Sequence, residues 1–183
     1  MDYDSTDTNW EKVGTGLQKY LSIMKLVKNT NIRTNAEFQK RFNGFYRIRQ
    51  RPRLFYDLLY EYLEANKNRT VSFEQTLNFF YQKLGRFEPS FSSKIVATIN
   101  PNYPVWDSAV LRNLNLKIPG YNLDKKIRFT KIVKTYDNIM GWYSDFLKTK
   151  QAQDMIWLFD NNMGDTNITD IKKIDLILWQ TRV

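Results

Sequence analysis

Apolar residues in this chain recur at helical spacing and almost nowhere alternate, a pattern that leaves little room for a sheet. Leu17, Tyr20, Leu21, Met24 and Val27 fall on one face of a helix expected from about Trp10 to Lys28. Thr34-Asn35-Ala36-Glu37 has the form of a capping box and predicts a second helix through Phe38, Phe42 and Phe45. Pro52 suits the first turn of a third, in which Phe55, Leu58, Leu59 and Tyr62 share a face. Ser72-Phe73-Glu74-Gln75 is another capping box, and Gly85 can close the helix it opens. Ser92 or Ser93 is expected to cap a short helix carrying Lys94 to Ile99, stopped by Asn100-Pro101. Asp107 is expected to cap the next, through Val110, Leu111 and Leu114. A long helix from Asn122 to Lys148, with Gly141 as its weak point, precedes two more over Thr149–Phe159 and Ile168–Trp179, separated by a loop at Asn161–Asp165. Trp157 and Trp179 lie on apolar faces and are expected in the core. The fold class expected is therefore all-α, a single-domain helical bundle over residues 1–183.

The residue types present narrow the chemistry. With no Cys and no His, the chain cannot form a disulfide, a thiolate nucleophile, an iron–sulfur cluster, or a Ser-His-Asp or Cys-His triad. Structural zinc sites and most catalytic zinc or iron sites need one of those two residues. Asp137, Asp145 and Asp160 show no metal-ligand spacing, so neither a metal nor a cofactor is expected. An enzyme built from this chain has to work with carboxylates, Lys, Arg, Tyr and hydroxyls. No apolar run is long enough for a membrane span, and the polar, acidic start Met1-Asp2-Tyr3-Asp4-Ser5 is unlike a targeting peptide. A cytoplasmic protein, monomeric and away from membranes, is the expectation.

The formal net charge is +9, and its distribution matters more than its sum. From Lys40 to Arg53 the basic residues Lys40, Arg41, Arg47, Arg49, Arg51 and Arg53 meet no acidic one. A second basic stretch holds Lys117, Lys125, Lys126, Arg128, Lys131 and Lys134 against only Asp124. The first eleven residues and the stretch from Asp154 to Asp175 are acidic. Separate blocks of one sign are the electrostatic footprint of a protein that binds a polyanion, and duplex DNA is the partner expected.

Between these blocks lies Phe91-Ser92-Ser93-Lys94-Ile95-Val96, followed by Asn100-Pro101-Asn102-Tyr103-Pro104-Val105-Trp106-Asp107-Ser108-Ala109-Val110-Leu111-Arg112. Over about 25 residues this segment resembles the core of the helix-hairpin-helix DNA glycosylase superfamily, in particular its 8-oxoguanine DNA glycosylase-like branch. There, a Lys near the start of one helix is followed by a Pro-Val-Asp junction opening the next, and an Asp-x-x-Val-x-Arg pattern is met here by Asp107, Val110 and Arg112. The family's glycine-rich turn is replaced by Gly85-Arg86-Phe87-Glu88-Pro89, and Trp106 is inserted before Asp107. The N–H groups opening a Ser92–Ile99 helix, with the Ser92 and Ser93 hydroxyls, are expected to make the phosphate contact instead.

The resemblance implies base excision. Cutting a base from deoxyribose passes through an oxocarbenium-like cation, which a carboxylate stabilises while it orients a water; this role falls to Asp107. An amine can instead attack the sugar carbon and form a Schiff base, and that role falls to Lys94. The target base has to leave the stack and enter a pocket, for which Phe45, Tyr46, Phe91, Tyr103 and Trp106 are the candidates. Arg47, Arg49, Arg51, Arg53 and Arg112 are the candidate DNA contacts, with one arginine of the arm filling the gap left in the duplex. The bland readings are an Asp that only caps a helix, a solvated Lys and buried aromatics. A non-catalytic DNA-binding protein with a degenerate glycosylase fold is the alternative function.

Overall fold

The computed structural model describes residues 8–179, which form nine α-helices and no strand. They are α1 (Trp10–Asn29), α2 (Ala36–Phe45), α3 (Arg53–Asn66), α4 (Phe73–Leu84), α5 (Pro89–Ile99), α6 (Ser108–Asn113), α7 (Lys125–Phe146), α8 (Lys150–Met163) and α9 (Asp170–Leu178). The all-α expectation holds, and no helix among the described residues is long and apolar enough to cross a membrane.

Local chemistry sets the boundaries. The Asn9 side chain accepts the Lys12 N–H and opens α1, which buries Val13, Leu17, Tyr20, Ile23 and Val27. Leu17, Tyr20 and Val27 are buried as the spacing predicts, whereas Leu21 and Met24 are half-buried and Val13 and Ile23 join the buried stripe instead. α2 is capped by Asn35 and not by Thr34: the Asn35 side chain takes the Phe38 N–H at 2.8 Å, while Thr34 closes a turn on Asn31. Pro52 stands one residue before the first turn of α3. Ser72 and Gln75 form the reciprocal capping box of α4, and Gly85 ends it at φ 68°.

The largest departure from expectation is α5. It starts at Pro89, a residue suited to a first turn, so Ser92 and Ser93 are interior helical residues with no exposed surface rather than caps. Asp124, not Asn122, caps α7, and Gly141 passes through that helix without a break. α8 runs on to Met163, and Trp157 stands 63% exposed on it instead of joining the core.

Two apolar clusters fill the interior. One joins the start of α1 (Val13, Leu17) to α4, α7, α8 and α9 through Leu77, Ile132, Phe159 and Ile177. The other joins the end of α1 (Ile23, Val27) to α2, α3 and α5 through Phe38, Phe42, Leu59 and Ile95. Phe45 and Tyr103, both half-buried, pack against both clusters and mark the seam between them.

The clusters bury phenols, which gives the fold an alkaline limit. Burial pushes the Tyr20 hydroxyl up to about 12, with Lys172 opposing, and raises those of Tyr46, Tyr60, Tyr62, Tyr136 and Tyr143 as well. A phenol raised in the folded state stabilises the fold fully below its ordinary value near 10, and this contribution is lost as pH rises through the folded value. Helicity should therefore hold to about pH 10 and fall steeply toward pH 12, with a delayed tyrosinate absorbance rising in the same step. Complete tyrosine titration with helicity unchanged would show that these phenols are not buried.

Candidate active site

α5 threads the second cluster, and from Phe91 to Thr98 every residue on it is buried except Lys94. The Lys94 ammonium reaches a cleft at the seam, donates to the Tyr46 carbonyl at 3.2 Å and lies 5.0 Å from the centre of the Phe91 ring.

Asp107 arrives at the same cleft along the segment that leaves α5. Three hydrogen bonds anchor that segment. Thr169 Oγ1 donates to the Pro101 carbonyl at 2.8 Å, Tyr136 Oη to the Pro104 carbonyl at 2.8 Å, and the Trp106 N–H to Ser93 Oγ at 2.9 Å. Lys94 follows Ser93 in sequence and Asp107 follows Trp106. The Ser93–Trp106 bond therefore fixes where the two candidate groups stand relative to each other. Asp107 itself is half-buried at the entry to α6, its carbonyl accepting the Leu111 N–H at 3.0 Å.

The cleft encloses about 290 Å³. One wall is the Lys12, Thr15, Gly16 and Lys19 face of α1; another is the end of α2 from Gly44 to Arg47, with Trp179 beside it. Aromatic rings pack along that side, Phe45 against Tyr46 at 4.9 Å and against Trp179 at 5.2 Å. A Cβ on Gly44 would meet nothing within 4 Å, so this helical glycine leaves space rather than permitting a close contact.

Behind the aromatic wall is a buried polar network. Lys172 Nζ pairs with Asp175 at 2.8 Å, both side chains essentially without exposed surface, and Tyr143 Oη donates to the other Asp175 oxygen at 2.6 Å. The Lys172 ammonium also lies 5.5 Å from the Tyr20 ring centre and 5.9 Å from that of Trp179. Burial, reinforced by the Asp175 charge, holds the Tyr143 hydroxyl well above its ordinary value.

The sequence-derived candidates separate clearly. Lys94, Asp107, Phe45, Tyr46 and Arg47 line the cleft. Phe91 and Trp106 do not; they are buried in the two clusters, where Phe91 meets Phe55 at 4.8 Å and Trp106 stacks on Phe73 at 6.2 Å. Tyr103 packs at the seam outside the cleft lining. Ser92 and Ser93 cannot touch DNA from the interior of α5. Arg51 turns inward, 3.5 Å from Glu88 and 4.7 Å from the Phe91 ring centre, and so helps to hold the start of α5. Arg53 is 94% exposed and pairs with Asp57 at 3.7 Å, while Arg49 and Arg112 are exposed away from the cleft lining. Lys12 and Lys19 carry no local signal that would place them at the cleft, and Trp179, which packs against the second cluster as its apolar face implies, borders the cleft as well.

Arg47 has an unusual backbone. The Ile48 N–H bonds to the Asn43 carbonyl at 2.9 Å, closing α2 in a Schellman-type turn that holds Arg47 at φ 54°, the left-handed conformation usually left to glycine. Among the described residues no group of three or more acidic side chains is placed to hold a metal ion. The chain matches no protein family, no curated protein and no solved structure.

Proposed function

We propose that this protein is a DNA glycosylase that hydrolyses the N-glycosidic bond of a damaged or modified base flipped out of duplex DNA, leaving an abasic site. The observation that carries the reading is the convergence of Lys94 and Asp107 on one cationic cleft with an aromatic wall, from two segments tied by the Ser93–Trp106 hydrogen bond. A flipped base needs ring faces to stack on and room to enter. Phe45 and Trp179, both half-buried, supply the first, and Gly44 the second. As the base departs with the glycosidic electron pair, the Asp107 carboxylate stabilises the sugar cation and orients the attacking water. Lys94, tethered to the Tyr46 carbonyl, contributes positive charge beside the departing base. The target is an oxidised guanine or a hypermodified base such as those of bacteriophage DNA, and DNA as substrate places the protein at the nucleoid.

The test is a panel of duplexes, each carrying one damaged or modified base, read by strand cleavage at abasic sites after alkali. At least one should be cut by the parent. Because water is the nucleophile in this reading, Lys94→Ala should retain measurable base release and neither protein should form a borohydride-trapped adduct. A trapped adduct lost in Lys94→Ala would move the attack to the amine.

Arg47 supplies a second check. A non-glycine residue held in the left-handed region costs about 1 kcal/mol, which evolution tolerates where a side chain is needed at a site. Arg47→Gly should stabilise the fold by roughly that amount in urea denaturation while weakening duplex binding. A variant more stable than the parent that binds and reacts unchanged would remove Arg47 from the site.

A further inference from the structure

The face of α1 that borders the cleft has the spacing of a single helical stripe. Lys12, Thr15, Gly16 and Lys19 stand at i, i+3, i+4 and i+7, alongside the buried stripe that starts at Val13 and Leu17. Both lysines are exposed, and neither has an ion-pair partner among the described residues. Two ammonium groups without such partners thus border the cleft from α1, and Arg47 and Lys94 bring further positive charge to the lining that holds Asp107.

Resting on the glycosylase reading, we infer that this stripe is a phosphate rail that grips the strand from which the nucleotide is extruded. Seven residues of α-helix place Lys12 and Lys19 about 10 Å apart along the axis, or about three nucleotide rises of one strand. Two ammonium groups at that separation can hold phosphates about three steps apart on one strand, one on each side of the stretch that contains the extruded nucleotide. Thr15 and Gly16 between them offer a hydroxyl and an absence of bulk where the strand passes closest. The rail acts on binding through counterion release and does not touch the reacting bond.

The test measures affinity for a duplex carrying a tetrahydrofuran abasic-site analogue at several salt concentrations. The double variant Lys12→Gln/Lys19→Gln is compared with the parent and with Lys25→Gln/Lys28→Gln, which removes the same charge from exposed α1 positions outside the cleft. Loss of two phosphate contacts should flatten the slope of log affinity against log salt by about 1.8 in the rail variant, with the control close to the parent. A slope equal to the parent's, or equal flattening in both double variants, would overturn the rail. This result is independent of base excision: binding can be measured if no base is ever released, and base release can persist if the rail variant binds like the parent.

Discussion

Asp175→Ala should cost roughly 3–5 kcal/mol of folding stability, the largest loss expected from any single substitution in this chain. It removes both oxygens of a fully buried pair. Lys172 Nζ loses its partner at 2.8 Å and Tyr143 Oη its acceptor at 2.6 Å, and neither has water to turn to. Since domains of this size are stable by about 5–15 kcal/mol, much of the protein should unfold at modest urea concentrations. Deleting the whole network should behave differently. Replacing Lys172 by Met, Asp175 by Leu and Tyr143 by Phe leaves no polar atom stranded, and exchanges of that kind are often neutral or stabilising. The triple variant should therefore regain most of what Asp175→Ala loses. An unfolding midpoint for Asp175→Ala near that of the parent would mean that the pair is solvated in solution.

Asp107→Asn should reduce base release by about 100- to 1,000-fold while leaving folding and DNA binding close to the parent. The substitution keeps the size of the side chain, and asparagine opens a helix about as well as aspartate, so α6 should form normally. What disappears is the negative charge facing the sugar cation. Circular dichroism and duplex affinity, measured beside single-turnover rates, separate this outcome from a merely structural one. A variant that loses helicity or melts early would assign Asp107 to helix capping, and an unchanged rate would remove it from the chemistry.

Helix existence was legible because it depends on local pattern. The α4 capping box, the Gly85 closure and the α1 apolar stripe are all short-range features. The errors have physical causes. Ser92 and Ser93 have the chemistry of caps, but Pro89 is pre-organised for a first turn and starts α5 earlier, so the serines became interior and Ser93 gained the Trp106 N–H as its partner. Thr34 lost the cap of α2 to Asn35 because a turn from Asn31 already engages its backbone. Phe91 and Trp106 neighbour the key residues in sequence but project into the two clusters.

The site was half legible. Lys94 and Asp107 stand in one motif-like segment, whereas Lys12, Lys19 and Trp179 join them only through long-range packing of α1 and the end of α9. The Lys172–Asp175 pair did leave a trace: of the three charged residues between Ile171 and Leu178, Lys172 and Asp175 stand at i and i+3 on the helix, beside Lys173. Its meaning depends on burial, which the sequence does not print. In the same way Arg51 and Arg47 are equivalent members of a basic arm in sequence, yet one is tied to Glu88 and the other faces the cleft.

The central claim is that the cleft releases a base, and mass spectrometry of the small molecules freed from a pooled panel of modified duplexes tests it most directly. The account predicts a free base appearing in step with abasic sites for the parent, and little or none for folded, DNA-bound Asp107→Asn. Duplex binding by the parent at low salt, with no base freed from any duplex in the panel, would contradict the catalytic account and leave a DNA-binding protein without chemistry.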